Sequence, residues 1–146
     1  MKVHLQRVSR AAVRVDGATV GAIDRGLLVL LGVERDDRAE DIAWYAKKTA
    51  ELRIFPDDEG KMNRGLLEAG GEALVVSQFT LSARTRKGKR PSFADAAPPE
   101  VARDHYERFC EALRELGVPV ETGTFQAMMA VEMVNDGPVT ILLEPR

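Results

Sequence analysis

At 146 residues the chain is long enough for one domain with a single substantial core, and a composition of 45% hydrophobic and 30% charged residues is ordinary for a soluble globular protein. A net charge of −2 gives no overall attraction to nucleic acid or membrane, so any such affinity has to come from a local patch. The single cysteine, Cys110, excludes an internal disulfide, the start at Met1 to Arg7 has no signal-like apolar region, and no apolar run approaches membrane-spanning length; a cytoplasmic protein without membrane contact is the expectation.

In chain order, Val3 to Val8 reads as a first strand. Ala11 to Val15 and Ala18 to Ile23 read as two short strands joined through Asp16-Gly17, a pair that favours a two-residue hairpin turn. The run Leu27 to Val33 is apolar without alternation, which predicts a strand covered on both faces at the centre of the sheet. Asp37-Arg38-Ala39-Glu40 has the form of a helix cap, and Ile42, Ala46, Thr49 and Ala50 recur at helical spacing, so a helix is expected over about Arg38 to Leu52. Ile54-Phe55 begins a short strand closed by Pro56 to Gly60, and Lys61 to Arg64 falls in a connecting segment.

The next strand, within Ala73 to Leu81, is apolar in its first half and turns polar at Ser77, Gln78 and Thr80. Two readings compete there: polar residues at the end of a central strand often hold a ligand, and they also bond to neighbouring backbone for structural reasons alone. Five of the seven residues from Arg84 to Arg90 are cationic, namely Arg84, Arg86, Lys87, Lys89 and Arg90. This loop suits phosphate groups as well as plain solvent. Pro98-Pro99 opens a second helix with Val101, Tyr106, Phe109, Leu113 and Leu116 as its apolar stripe, His105 beside it, and Gly117 at its end. Phe125 to Val134 alternates as one long strand with both faces largely covered, its methionines suited to core or to a subunit interface. Asn135-Asp136-Gly137-Pro138 then predicts a corner before a last strand, Val139 to Leu143, stopped by Glu144-Pro145-Arg146. The whole is one α/β domain over residues 1–146, with a mixed or largely antiparallel sheet and two principal helices.

Catalytic designs built on G-x-S-x-G, H-E-x-x-H, a Walker A loop or G-x-G-x-x-G are absent from the sequence, and His4 and His105 are its only imidazoles. Clustered metal ligands are also missing, so no metal and no cofactor is expected. An enzyme made of these residues has to use backbone donors, hydroxyls or groups on the substrate itself.

Ser77-Gln78-Phe79-Thr80-Leu81 and Asn135-Asp136-Gly137-Pro138-Val139-Thr140 together resemble the two signature motifs of the D-aminoacyl-tRNA deacylases, of the D-tyrosyl-tRNA deacylase type. Leu5 to Val8, Gly26 to Val33, Leu52 to Phe55, Gly60 to Asn63, Lys89 to Phe93 and Thr122-Gly123 extend the likeness in family order along nearly the whole chain. The resemblance implies a β-barrel-like sheet with helices packed outside, a homodimer with active sites at the subunit interface, and hydrolysis of the ester of D-aminoacyl-tRNA and of mischarged glycyl-tRNA. It implies further that Gly137-Pro138 is a cis peptide reaching into the partner's site to test chirality by its main chain, and that Arg7 braces it. Ser77, Gln78, Phe79 and Thr80 would form the catalytic wall, with Thr80 either nucleophile or positioning group. Arg84, Arg86, Lys87, Lys89 and Arg90 would meet the tRNA. The sequence departs from the family pattern at Gln126, where Gly is common, and at Ser82-Ala83-Arg84. Two alternatives remain beside this one: a noncatalytic tRNA-binding module, and a related deacylase of altered specificity.

Overall fold

A computed structural model describes residues 1–144. The long first strand, β1 (Lys2–Val15), organises the sheet. Its first half pairs antiparallel with β3 (Gly26–Gly32), its second half pairs antiparallel with β2 (Ala18–Ile23), and its other edge carries β8 (Ala130–Leu143) along almost its whole length. β6 (Glu72–Ser77) lies parallel to β3, and β7 (Val120–Thr122) parallel to β6. A parallel neighbour needs a crossover, and each of these crossovers carries a helix: α1 (Ile42–Glu51) before β6 and α2 (Pro99–Glu115) before β7. The order is therefore β2-β1-β3-β6-β7 with β8 on β1, a mixed sheet in one α/β domain.

The sheet curls until its ends nearly meet. A methyl group placed on Gly21 of β2 would lie 2.3 Å from the Thr122 carbonyl oxygen of β7, so the close approach of these two edges requires a residue without Cβ. Both faces of the central strands are dry, as the unalternating runs predict. Leu27, Val29, Leu31, Ala73 and Val75 face the helices with Tyr106, Phe109 and Leu113, while Leu28, Leu74 and Val76 face a second core with Val8, Ala11, Val13 and Ile23.

Several sequence expectations need correction. Val3–Val8 and Ala11–Val15 are one strand, because Ser9-Arg10 marks a register shift against β8 and not a break. Asp16 and Gly17 do make the hairpin turn, with φ of 50° and 79°. α1 begins at Ile42 behind a short 3-10 turn at Ala39–Asp41, and Asp37 does not cap it; its carboxylate instead accepts the Glu34 N–H at 2.6 Å. Met62–Arg64 is a strand, β5, paired with β4 (Phe55–Pro56) in a small separate hairpin. On α2 the buried face includes Ala102, His105 and Cys110, whereas Val101 and Leu116 are partly exposed.

β8 starts at Ala130, not at Phe125, for Gln126 takes a left-handed φ of 64° and Met128 is 92% exposed. β8 is also not covered on both faces: Val131, Val134 and Leu142 show apolar surface. Most importantly, Asn135 to Pro138 is no corner. β8 runs straight through it to Leu143, and the Pro145 and Arg146 part of the expected stop lies outside the described residues.

Candidate active site

The polar end of β6 becomes a tight turn. The Gln78 N–H extends the parallel ladder by donating to the Leu31 carbonyl at 2.8 Å, and a 3-10 turn over Phe79–Ser82 follows at once. Within it the Leu81 N–H donates to the Gln78 carbonyl at 3.3 Å and the Ala83 N–H to the Thr80 carbonyl at 3.1 Å. The first N–H groups of any such turn have no carbonyl within the turn to bond, which leaves those of Phe79 and Thr80 available. The Gln78 side-chain amide donates to the Thr80 hydroxyl oxygen, and Phe79 and Thr80 are both exposed. Ser77, Gln78, Phe79 and Thr80 are thus brought to one surface, with backbone donors beside a hydroxyl that has an amide, and no base, as its partner. Lys2 holds the turn from the first strand, its ammonium donating to the Leu81 carbonyl at 3.3 Å while it pairs with Glu34 at 3.2 Å.

The second motif is a bulge in β8. Gln6 of β1 pairs with Thr140 and Val8 pairs with Asn135, so a single residue of β1, Arg7, stands opposite the four residues from Asp136 to Val139. Their backbone is pushed out of the ladder into solvent, with Gly137 at a φ of 132° and the Gly137-Pro138 peptide cis. Two side chains hold this outline. Arg7, largely buried, donates through Nε to the Asp136 carbonyl at 3.0 Å and through Nη1 to the Ile54 carbonyl at 2.7 Å, with the Asp136 carboxylate 3.6 Å from Nε. Asn135 closes the bulge across its base: its Oδ1 accepts the Val139 N–H at 3.3 Å and its Nδ2 donates to the Thr140 hydroxyl at 3.1 Å. Sequence reasoning found Arg7 and the Gly-Pro pair but missed the Asn135 clamp, the Ile54 anchor and Lys2. An Asn at the start of a turn-forming tetrad was the one available signal for the clamp.

These two motifs do not meet within the chain. The turn follows Ser77, which pairs with Leu31 at one end of β3, whereas Arg7 pairs with Leu27 at the other. Those levels are four residue steps apart, roughly 13 Å along the strand, in addition to the lateral steps from β8 across β1 and β3 to β6.

The cationic loop is pinned at its neck, where Arg84 and Ser92 exchange backbone hydrogen bonds of 2.8 and 3.0 Å. Arg84 also pairs with Asp95, so its charge is already matched, unlike its four companions: Arg86, Lys87, Lys89 and Arg90 are exposed and, among the described residues, make no ion pair. A groove of about 660 Å³ lined by Arg84, Thr85, Arg86, Lys87 and Ser92 runs along the loop. On the far side of β6, the Tyr106 hydroxyl donates to the Val75 carbonyl at 2.9 Å and burial pushes its pKa well above the usual phenol value.

Together these elements make a nearly closed mixed barrel with outer helices that carries a donor-bearing turn and a braced main-chain bulge. The fold is similar to that of a solved structure described as a probable eukaryotic D-amino acid tRNA deacylase, with a TM-score of 0.82 at 21% identity over 97% of each chain. Residues 4–144 match the family model described as D-Tyr-tRNA(Tyr) deacylase, and the chain belongs to that family of hydrolases. The chain is 63% identical to the D-aminoacyl-tRNA deacylase of Anaeromyxobacter dehalogenans over 100% of its length and 98% of the relative's. It is 60% identical to that of Roseiflexus castenholzii over 99% and 92%. It is also similar to a solved structure described as the c-Myc DNA Unwinding Element Binding Protein, with a TM-score of 0.94 and 42% identity over 100% of this chain and 99% of the other.

Proposed function

We propose that the protein hydrolyses the ester linking a D-amino acid to the 3′-terminal ribose of tRNA, and that it removes glycine from mischarged tRNA as well. The observation that carries the proposal is the pairing of two unlike walls: a turn with free N–H groups at Phe79 and Thr80, and an exposed main-chain bulge held by Arg7. Relatives named D-aminoacyl-tRNA deacylase at 57–63% identity over 99–100% of the chain support its D-aminoacyl part. Water adds to the ester carbonyl, the oxyanion is received by the turn's N–H groups, and the carbonyl–O3′ bond breaks to release the amino acid and tRNA. The neighbouring ribose 2′-hydroxyl helps to activate the water, accepting the proton it loses on attack while passing its own to the departing O3′. Thr80 serves as a positioning group, since its hydroxyl faces the Gln78 amide and no base. Thr80→Ala therefore retains most activity, and a trapped acyl ester on Thr80 would overturn that role.

Handedness is tested by the main chain around Gly137 and Pro138. Backbone atoms set close to the substrate Cα admit one hand and drive the side chain of the other into the carbonyls, without reading what that side chain is. Because the bulge and the turn of one chain lie far apart, the pocket is completed by a second copy, with the Gly137-Pro138 segment of one protomer opposite the Thr80 turn of its partner. The apolar surface that Val134 and Leu142 leave on the outer face of β8 suits such a homodimer. Arg86, Lys87, Lys89 and Arg90 would face acceptor-stem phosphates, with Arg84 bracing the loop against Asp95. The protein works in the cytoplasm, where tRNA is charged.

A second reading, a nucleic-acid-binding module without catalysis, draws on the same loop and on the printed description of the 42%-identical neighbour. Deacylation of matched D-, L- and glycyl-tRNA by the purified protein separates the two. The deacylase reading expects rapid loss of the D- and glycyl esters with the L-ester spared. Binding without acceleration of any of them would favour the module.

A further inference from the structure

Between the donor-bearing turn and the neck of the cationic loop stand two phenylalanine rings that the reaction does not use. Phe79 opens the 3-10 turn, yet its side chain is 56% exposed. Its ring centroid lies 5.0 Å from that of Phe93, with the planes at 70°, an edge-to-face pair. Phe93 directly follows Ser92, which closes the loop neck against Arg84, and Arg86, Lys87, Lys89 and Arg90 lie just beyond. An edge-to-face pair covers at most one face of the ring it meets, and here Phe79 keeps much of its surface in solvent while Phe93 is half-buried. Exposed aromatic faces next to unpaired cations are what single-stranded nucleic acid uses: the rings take bases and the cations take phosphates.

We propose that Phe79 and Phe93 form a stacking platform for the unpaired base immediately preceding the terminal adenosine of the tRNA 3′ end. The inference rests on the deacylase reading and adds a subsite to it. Its position follows from chain order around the site. The ester on the terminal ribose has to sit against the Phe79 and Thr80 N–H groups, and the unmatched cations of the loop lie past the Arg84–Ser92 neck that Phe93 adjoins. The ring pair occupies the interval, which is where the preceding nucleotide must pass. A platform of this kind is tolerant of base identity, because every base has a π-face.

The test compares wild type, Phe93→Leu and Phe93→Tyr on three substrates: intact D-aminoacyl-tRNA, the same tRNA abasic at the penultimate position, and D-aminoacyl-adenosine. Phe93→Leu is expected to raise KM for intact tRNA roughly tenfold, the loss of about one base–aromatic contact, and Phe93→Tyr to restore it. On the abasic tRNA the wild type should fall to the level of Phe93→Leu, and on D-aminoacyl-adenosine the variant should lose far less than on tRNA. A Phe93→Leu defect of equal size on intact and abasic tRNA, or on tRNA and aminoacyl-adenosine, would overturn the platform and leave the ring pair as packing. If wild type hydrolyses none of the three, the deacylase reading itself fails. The platform is then judged separately by affinity for uncharged intact and abasic tRNA, where only the wild type should discriminate.

Discussion

Arg7 Nε donates to the Asp136 carbonyl oxygen at 3.0 Å across 129 positions of sequence, and the same guanidinium reaches Ile54 with its Nη1. One side chain therefore sets the bulge of β8 against the start of the β4–β5 hairpin. Both acceptors are carbonyls, so the planar fork of Arg does work that a single ammonium cannot reproduce. Arg7→Ala leaves two acceptors without their donor and is expected to cost about 1–3 kcal/mol of stability. On D-aminoacyl-tRNA its kcat/KM should fall about tenfold or more, with D-over-L selectivity falling too, and Arg7→Lys should restore neither. Thermal denaturation and parallel D and L deacylation rates check this.

Asn135 spans the base of the same bulge, and its two bonds can be cut separately. Asn135→Asp keeps an acceptor for the Val139 N–H and loses the donor to Thr140; Asn135→Ala loses both. The expected order of D-over-L selectivity is wild type, then Asn135→Asp, then Asn135→Ala. Each lost bond should be worth about 0.5–1.5 kcal/mol. Equal selectivity in all three would remove Asn135 from the account.

Much of the fold was legible where one local rule sufficed. Leu27 to Leu31 has no polar break, and a strand dry on both faces is the outcome. Asn135 to Pro138 was misread because turn-forming residues mark a departure from the ladder without saying whether the chain reverses or bulges. Only the long partner β1, with Arg7 opposite, decides for a bulge. Ser9-Arg10 misled in the same way, as did the alternation before Ala130, which ignores the backbone of Gln126. For the site, residue types marked the turn and the Gly-Pro pair and the family resemblance gave them roles, but bonds between distant segments, such as Arg7 to Ile54 and Lys2 to Leu81, depend on the folded chain.

Gln126 occupies a left-handed φ of 64°, at the position where the family pattern favours Gly. An L-residue there carries about 1–2 kcal/mol of strain, against which Gly loses roughly 0.5–1 kcal/mol through greater freedom when unfolded. Gln126→Gly is accordingly expected to stabilise by about 0.5–1 kcal/mol, read as a rise in Tm. A fall in Tm would mean that the Gln126 side chain makes a compensating contact.

Burial pushes the Cys110 thiol up to about 11, with Arg114 opposing, and burial raises Tyr106 beside it. Both groups are held in their neutral forms. For Cys110 the stabilisation is whole below the unfolded thiol's pKa of about 8.5 and is lost as pH rises through the folded value. Stability should therefore decline between about pH 8.5 and 11, less steeply in Cys110→Ala. At pH 8 the native thiol should resist iodoacetamide and react once the chain is unfolded.

If each pocket joins the Thr80 turn of one protomer to the Gly137-Pro138 bulge of its partner, protomer mixing reveals it most directly. Phe79→Pro removes an N–H from the turn at a position where proline fits a helix start, and Gly137→Ala introduces a Cβ 3.0 Å from the Arg7 guanidinium at a strained φ. Each variant alone should be inactive on D-aminoacyl-tRNA. When the two are unfolded, mixed equally and refolded together, half the dimers carry both lesions, and in each of these one site is intact. Activity should return to about a quarter of wild type. A mixture as inactive as its parents would contradict a pocket shared between protomers.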